Sequence, residues 1–281
     1  MPRRMVFALI GDSYIAGEGA PNIVADTDQQ RWDDALCHRS ERSGHMRAVK
    51  ELRMTTPGIA TAVFNRTCSG AEVDKGLLLP QEDLPGELAI AEGSLPDAVK
   101  PPQIRQLEDW MAANNRPRVD FLIMSIGGNN LGFGDAVVAC LFGFLSDCSE
   151  KAELRARITT RAAALPAAYD LLQFRLSQLN IGQVLITEYP NPLQAPSGRL
   201  CNTPGDPDPG YGGIVGAGCW GLTERQVSVS DFRWVQDSLL FVLNSNVAAA
   251  AQKNGWTFVN GTMTESAGHG ICNCSEPYFN T

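Results

Sequence analysis

The chain has 281 residues, 44% of them apolar and 19% charged, with 23 Lys and Arg against 31 Asp and Glu for a net charge of −8. This is a globular composition with a weakly charged surface, which excludes disorder, collagen and coiled coil. There is no Lys/Arg run beyond Arg3-Arg4, so no electrostatic footprint for nucleic acid is present, and no segment approaches the roughly 18 unbroken apolar residues of a membrane span.

At roughly 150 residues per domain the length allows two small domains or one large α/β domain. No internal repeat or linker is visible, and the expectation is a single domain over 1–281 with long functional loops. The first strand-like run begins at Met5, which leaves no room for a signal peptide; any leader is expected to have been removed. Eight cysteines are more than a reduced cytosolic enzyme usually keeps. Cys37, Cys68, Cys201, Cys219, Cys272 and Cys274 stand in polar, Gly-rich stretches rather than apolar ones, which points to disulfides and to a secreted or periplasmic protein. Their pairing is open, since eight cysteines allow on the order of a hundred connectivities. The sequons at Asn65, Asn260 and Asn273 matter only in a glycosylating host.

In chain order, a first apolar run at 6–10 reads as a strand, and a second at 62–64 follows a polar stretch. A helix is predicted over 103–113, just after Pro101-Pro102. The clearest strand, 119–126, comes next and contains Phe121-Leu122-Ile123-Met124. Residues 150–179 read as a long helical stretch kinked or divided at Pro166. A fourth strand at 184–187 leads into a Gly/Pro-rich loop over 201–221, whose ends a Cys201–Cys219 bridge would pin. The last helix places Val235, Leu239, Val242 and Ala249 at helical spacing behind a Ser230 cap, and Gly255 stops it before a fifth strand at 256–259. Strands alternating with helical segments predict a parallel sheet, and the lack of polar alternation predicts strands covered on both faces.

Three small-residue loops follow the first three strands. Gly11-Asp12-Ser13 places a hydroxyl outside the carboxyl end of the first strand, where open α/β sheets bind ligands. Thr67-Cys68-Ser69-Gly70-Ala71 follows the second strand, and Gly127-Gly128-Asn129-Asn130 the third. A serine that cleaves an ester needs donors for the developing oxyanion. The N–H groups of Ser13 and Gly70 and the uncharged carboxamide of Asn129 are residue types that supply them. Singly, each loop reads equally well as a turn, or as a side chain bonding its own backbone; it is the order of the three that carries the chemistry.

These blocks resemble the first three sequence blocks of the SGNH or GDSL hydrolases. Residues 14–19, the Cys-Ser-Gly-Ala block and Glu188-Tyr189-Pro190-Asn191-Pro192 are similar to secreted actinobacterial esterases, lipases and phospholipases of that family, over nearly the whole chain. The resemblance implies a flavodoxin-like three-layer sandwich with a central five-stranded parallel sheet in the order 2-1-3-4-5. It also implies hydrolysis of small-molecule or lipid carboxylic esters through an acyl-enzyme, with no cofactor and no metal. Ser13 would be the nucleophile, and the Ser13 and Gly70 amides and the Asn129 side chain would hold the oxyanion. Position 130 is Asn where the family's third block often has Asp.

The family takes its general base from a histidine near the carboxyl terminus, in an Asp-x-x-His or His-Pro arrangement. His269 stands in that region, with Ser266 three positions before it and Glu265 four. Two readings stay open: His269 is the base, oriented by Glu265 or a backbone carbonyl, or the base lies in a carboxyl-terminal segment that this chain lacks. His38 and His45, near Arg39, Glu41 and Arg42, are expected on the solvated surface. Cys37 with Cys68 would tie the first loop to the Gly70 block, and Cys140 with Cys148 would close a small loop. Cys272 and Cys274 would then be left with His269 in a spacing that resembles a zinc half-site without a fourth ligand. Two rivals come from other classes: a catalytically silent ligand- or carbohydrate-binding domain that lacks the base, and a metal or redox module on the terminal cysteines. Trp220 and the apolar stretch 141–145 read either as the lining of a lipid-accepting groove or as ordinary packing.

Overall fold

The computed structural model describes residues 3–23, 29–57, 59–82, 99–142, 147–201, 203, 228–270 and 273. The chain forms two compact units. One comprises 1–129, 166–187 and 249–259, and the other 130–165, 188–248 and 260–281.

The first unit is built on five strands: β1 (Arg3–Gly11), β2 (Ile59–Asn65), β3 (Val119–Ser125), β4 (Ile181–Thr187) and β5 (Thr257–Val259). All their pairings are parallel, and the sheet order is β2-β1-β3-β4-β5, the 2-1-3-4-5 order of flavodoxin-like folds. Each expected strand is present, with ends displaced by three residues or fewer. β1 lies between β2 and β3, and its residues Val6 to Ile10 are all buried. Successive side chains of a strand point to opposite faces, so both faces of β1 are covered, which is why its sequence lacks a polar alternation.

Helix α1 is a single turn, Ser13–Ala16, and α2 spans Gly44–Thr55. The Ser43 hydroxyl accepts from the Met46 N–H and caps α2. Its inner residues Met46 and Val49 pack with Phe7, Leu9 and Ile15, and Phe7 stacks on Phe121 at 5.3 Å between ring centroids. Helix α3, Gln103–Ala113, buries Ile104 and Leu107 and brings the Trp110 ring within 5.6 Å of Phe64.

After β3 come α4 (Gly128–Leu131) and α5 (Phe133–Phe142), then a 3-10 turn at Cys148–Glu150 and the long α6 (Ala152–Leu176). Helix α6 runs through Pro166 undivided, contrary to the expected break. Tyr169, Leu172 and Leu176 beyond that proline are buried, and burial of an apolar face can outweigh the loss of one helical bond. Helix α7 (Val229–Val235) leads through a π-helical turn at Gln236–Leu240 into α8 (Phe241–Asn254). Its cap is Ser228, not the expected Ser230, because the Ser228 hydroxyl accepts the Asp231 N–H at 3.1 Å. Gly255 takes a left-handed φ of 69°, as a helix stop requires. A last turn, α9, spans Thr262–Glu265. Among the described residues no helix is long and apolar enough to cross a membrane.

Two bridges are present among the described cysteines, Cys37–Cys68 and Cys140–Cys148. Cys201 is also disulfide-bonded, while Cys219, Cys272 and Cys274 lie outside the described residues, as do Trp220 and the side chains of the apolar stretch 141–145.

Candidate active site

At the end of β1 the chain makes a turn that only glycine fits. Gly11 has φ +138°, and a Cβ placed there would lie 2.1 Å from the Ser125 carbonyl oxygen and 2.7 Å from Ile15 Cγ2. Both backbone groups of Gly11 are claimed by one buried carboxamide: its N–H donates to Gln103 Oε1 at 2.7 Å, and Gln103 Nε2 donates to its carbonyl at 2.9 Å. Asp12, also buried, donates its N–H to Ser125 O and caps α1 by accepting the Tyr14 N–H at 3.1 Å. Ser13 is thereby the first residue of α1 and partly buried, and the first N–H groups of a helix have no partner within it.

Gly70 lies in the loop after β2, exposed and at φ +80°. That loop is tied to the serine turn directly, since the Cys68 N–H donates to Gly11 O at 3.0 Å, and the Cys37–Cys68 bridge holds it from the other side. Asn129 sits on α4, just after β3. Its Nδ2 donates to Ala71 O at 2.9 Å, which uses one of the two hydrogens of the carboxamide. Behind it, the fully buried Tyr169 donates its hydroxyl to Ile126 O at 2.8 Å. Burial, with the nearby Asp12 charge adding to it, raises the Tyr169 phenol well above its ordinary range, so it stays a neutral donor.

The loops bearing Ser13, Gly70 and Asn129 thus stand at the carboxyl ends of three neighbouring strands, joined by Cys68 to Gly11 and by Asn129 to Ala71. A hydroxyl accompanied by backbone and carboxamide N–H groups can attack a carbonyl carbon and stabilise the charge that develops on its oxygen.

His269 belongs to the second unit, in the turn after α9. It is partly buried, and its N–H donates to Ser266 O at 3.0 Å. Gly268 on one side takes φ +80°. Gly270 on the other has no room for a Cβ, which would fall 2.5 Å from the carbonyls of Pro192 and Gln194. The Glu188 to Pro192 block frames this turn. Glu188 Oε2 accepts the N–H groups of Gly261 and Met263 at 2.9 and 3.1 Å, and the Asn191 N–H donates to the Ser266 hydroxyl at 3.0 Å.

The other two histidines correct the expectation of a solvated surface. His38 is 6% exposed, at a left-handed φ of 44°, stacked on Trp32 at 4.8 Å and 2.6 Å from Glu18 through Nδ1. Glu41 and Arg42 are exposed, but Arg39 is turned in to Asp34 and Thr67 O, as the His38 ring is to Glu18. His45 places Nε2 3.1 Å from Thr187 Oγ1 and its ring edge-on to Tyr14. Burial lowers its pKa to about 4.

The bracing groups Gln103 and Glu18 carry no sequence signal of their own. Gln103 is distinguished only by its place at the first turn of a helix after two prolines, where a side chain can reach a neighbouring backbone. Nearby, Asp34 takes Lys100 and Arg39 at 3.0 Å each. Burial alone would raise its carboxyl, and those two cations more than offset this and hold it below the ordinary value. Among the described residues no cluster of three His, Cys, Asp or Glu is arranged to hold a metal.

The parallel sheet has the order expected from the sequence, with a serine turn after its first strand, a glycine loop after its second and an asparagine after its third. The structure is similar to that of an extracellular lipase from Streptomyces rimosus, at 20% identity and a TM-score of 0.60 over 99% of this chain and 88% of the other. It is also similar to a phospholipase A1 from Streptomyces albidoflavus, at 16% identity and a TM-score of 0.56 over 97% and 85%. At these identities the likeness is one of fold. No family model matches the chain, and no curated protein matches its sequence.

Proposed function

We propose that the chain is an exported serine hydrolase that cleaves small-molecule or lipid carboxylic esters. Ser13 Oγ attacks the acyl carbonyl while His269 accepts its proton, and the N–H groups of Ser13 and Gly70 and the free hydrogen of Asn129 Nδ2 hold the oxyanion. The proton passes to the leaving alcohol, and water, activated by the same histidine, releases the acid from Ser13. The reading requires neither metal nor cofactor.

The observation that carries it is the pair of hydrogen bonds, Cys68 N–H to Gly11 O and Asn129 Nδ2 to Ala71 O, that ties three separately encoded loops into one edge around Ser13. His269 is chosen as the base because it stands after the last strand, where the resemblance places that residue; His38 lies against Glu18 and Trp32, and His45 against Thr187. The disulfides and the extracellular lipase among the similar structures favour export.

The test is hydrolysis of p-nitrophenyl acetate and longer-chain esters. Ser13→Ala is expected to lower kcat roughly 10⁴- to 10⁶-fold, His269→Ala by a comparable factor, and Asn129→Ala about 100- to 1,000-fold with the fold intact. A wild-type chain that neither turns over these esters nor labels at Ser13 with a fluorophosphonate would instead favour the silent ligand-binding domain.

A further inference from the structure

We propose that Gln81 is a positioning residue that aims the Gly70 N–H, acting through the Ser69 carbonyl; the inference rests on the reading of Gly70 as an oxyanion donor. The Ser69 carbonyl and the Gly70 N–H belong to one peptide unit, and a peptide unit is planar. Whatever fixes the direction of that carbonyl therefore fixes the direction of that N–H. Gln81 Nε2 donates to Ser69 O at 2.7 Å, the bond that does so.

The plane needs to be held. Gly70 lies at φ +80°, and without a Cβ its backbone can rotate at little steric cost. Gln81 is anchored well enough to hold it, being 3% exposed, with its own N–H and carbonyl each bonded to Lys100 at 2.9 Å. Its side chain therefore springs from a backbone held at both its polar groups. A donor on the carbonyl also polarises the peptide and strengthens its N–H as a donor in turn.

Ser69 is held at its other polar groups as well. Its N–H donates to Cys37 O at 3.0 Å, and its hydroxyl donates to one oxygen of Glu18, whose second oxygen lies 2.6 Å from His38 Nδ1. These bonds place Ser69; the bond from Gln81 is the one made to the oxyanion peptide itself.

A second observation separates positioning from stability. Among the described residues the buried Gln81 Oε1 has no hydrogen-bond partner, which is a cost that an apolar side chain of the same length would not carry. A carboxamide kept at that cost is better explained by what its Nε2 aims than by what it adds to folding.

The experiment compares the wild-type chain with Gln81→Met, which keeps length and volume, and Gln81→Glu, which keeps shape but removes the donor. In p-nitrophenyl acetate hydrolysis both are expected to lose kcat about 10- to 100-fold, short of the loss from deleting a donor outright, with KM within about twofold. Affinity for an alkyl boronic acid, whose tetrahedral adduct on Ser13 fills the oxyanion site, is expected to fall in parallel with kcat, while the thermal midpoint of Gln81→Met stays within a few degrees of wild type. A Gln81→Met enzyme with wild-type kcat and boronate affinity, beside an impaired Asn129→Ala, would overturn the assignment of Gln81 alone. So would a raised KM at unchanged kcat, or failure of both variants to fold. A wild-type chain without Ser13-dependent turnover would overturn the parent reading, which the same assay shows before any Gln81 variant is made.

Discussion

The edge of the sheet that carries Ser13, Gly70 and Asn129 and the turn that carries His269 are held by opposite means. At the sheet edge the backbone turns are shaped by the strands, and side chains reach in to bind the backbone: the buried Gln103 takes both groups of Gly11, the buried Gln81 takes Ser69 O, and the partly buried Asn129 takes Ala71 O. The His269 turn follows the helical turn α9 rather than a strand. It hangs between Gly268 and Gly270 and is pressed against the carbonyls of Pro192 and Gln194, with Glu188 gathering the N–H groups of the preceding helical turn. The difference teaches where each group's precision comes from. In the proposed mechanism, donors that must aim at one oxygen are set by the sheet and its carboxamides, whereas the second region relies on a tight fit of loop against loop.

The largest effect expected from breaking this contrast is at Gly11. Gly11→Ala would put a methyl group 2.1 Å from Ser125 O, a backbone atom of the neighbouring central strand, at a φ that side chains rarely adopt. Strain and overpacking together are expected to cost about 3–5 kcal/mol. Urea unfolding is the measurement, with a lower midpoint at unchanged m-value. A wild-type midpoint would mean that the turn yields freely and that the sheet edge is not the rigid partner in the comparison.

Gly270→Ala sharpens it from the other side. The clash is nominally similar, 2.5 Å to two carbonyls, yet the atoms met belong to a loop that can yield. The expected stability cost is smaller, about 1–3 kcal/mol, while ester hydrolysis falls at least about tenfold, because a displacement near 1 Å can cost on the order of 100-fold. A variant with unchanged turnover would show that the placing of His269 does not depend on this contact.

The sheet was legible because its signal is local. Short apolar runs bounded by glycine turns gave all five strands, and the glycines at 11 and 70 and the asparagine at 129 announced the three loops by type and order. What could not be read are the groups that brace those loops. Gln103 and Gly11 are 92 positions apart, and Gln81 lies 12 positions beyond the carbonyl it holds, so no periodicity connects them. His38 misled for a related reason. Its neighbours Arg39, Glu41 and Arg42 are those of a surface, but its ring is turned inward by Glu18, 20 positions earlier, and by Trp32. At α7 the sequence suggests Ser230, whereas the cap is Ser228, two positions earlier, because its hydroxyl receives the Asp231 N–H.

The smallest expected effect concerns His45, which tests whether the histidines of the first unit are committed to structure. Its Nε2 meets Thr187 Oγ1, and among the described residues its buried Nδ1 has no hydrogen-bond partner, so a charged ring would lose hydration without gaining an acceptor. Burial accordingly lowers its pKa to about 4 in the folded chain, against about 6.5 when unfolded. Between those values the unfolded state binds more protons than the folded one, so stability falls as the pH falls from about 6.5 to about 4. Linkage sets an upper limit of roughly 1.4 kcal/mol for each pH unit of that window. Because the residue as a whole is only partly buried, the expected loss is smaller, about 1–2 kcal/mol over the whole of it. His45→Gln keeps a polar group for Thr187 and cannot titrate, so its stability measured by urea unfolding should fall less steeply over the same range. Identical slopes in variant and wild type would mean that the ring is protonated in place.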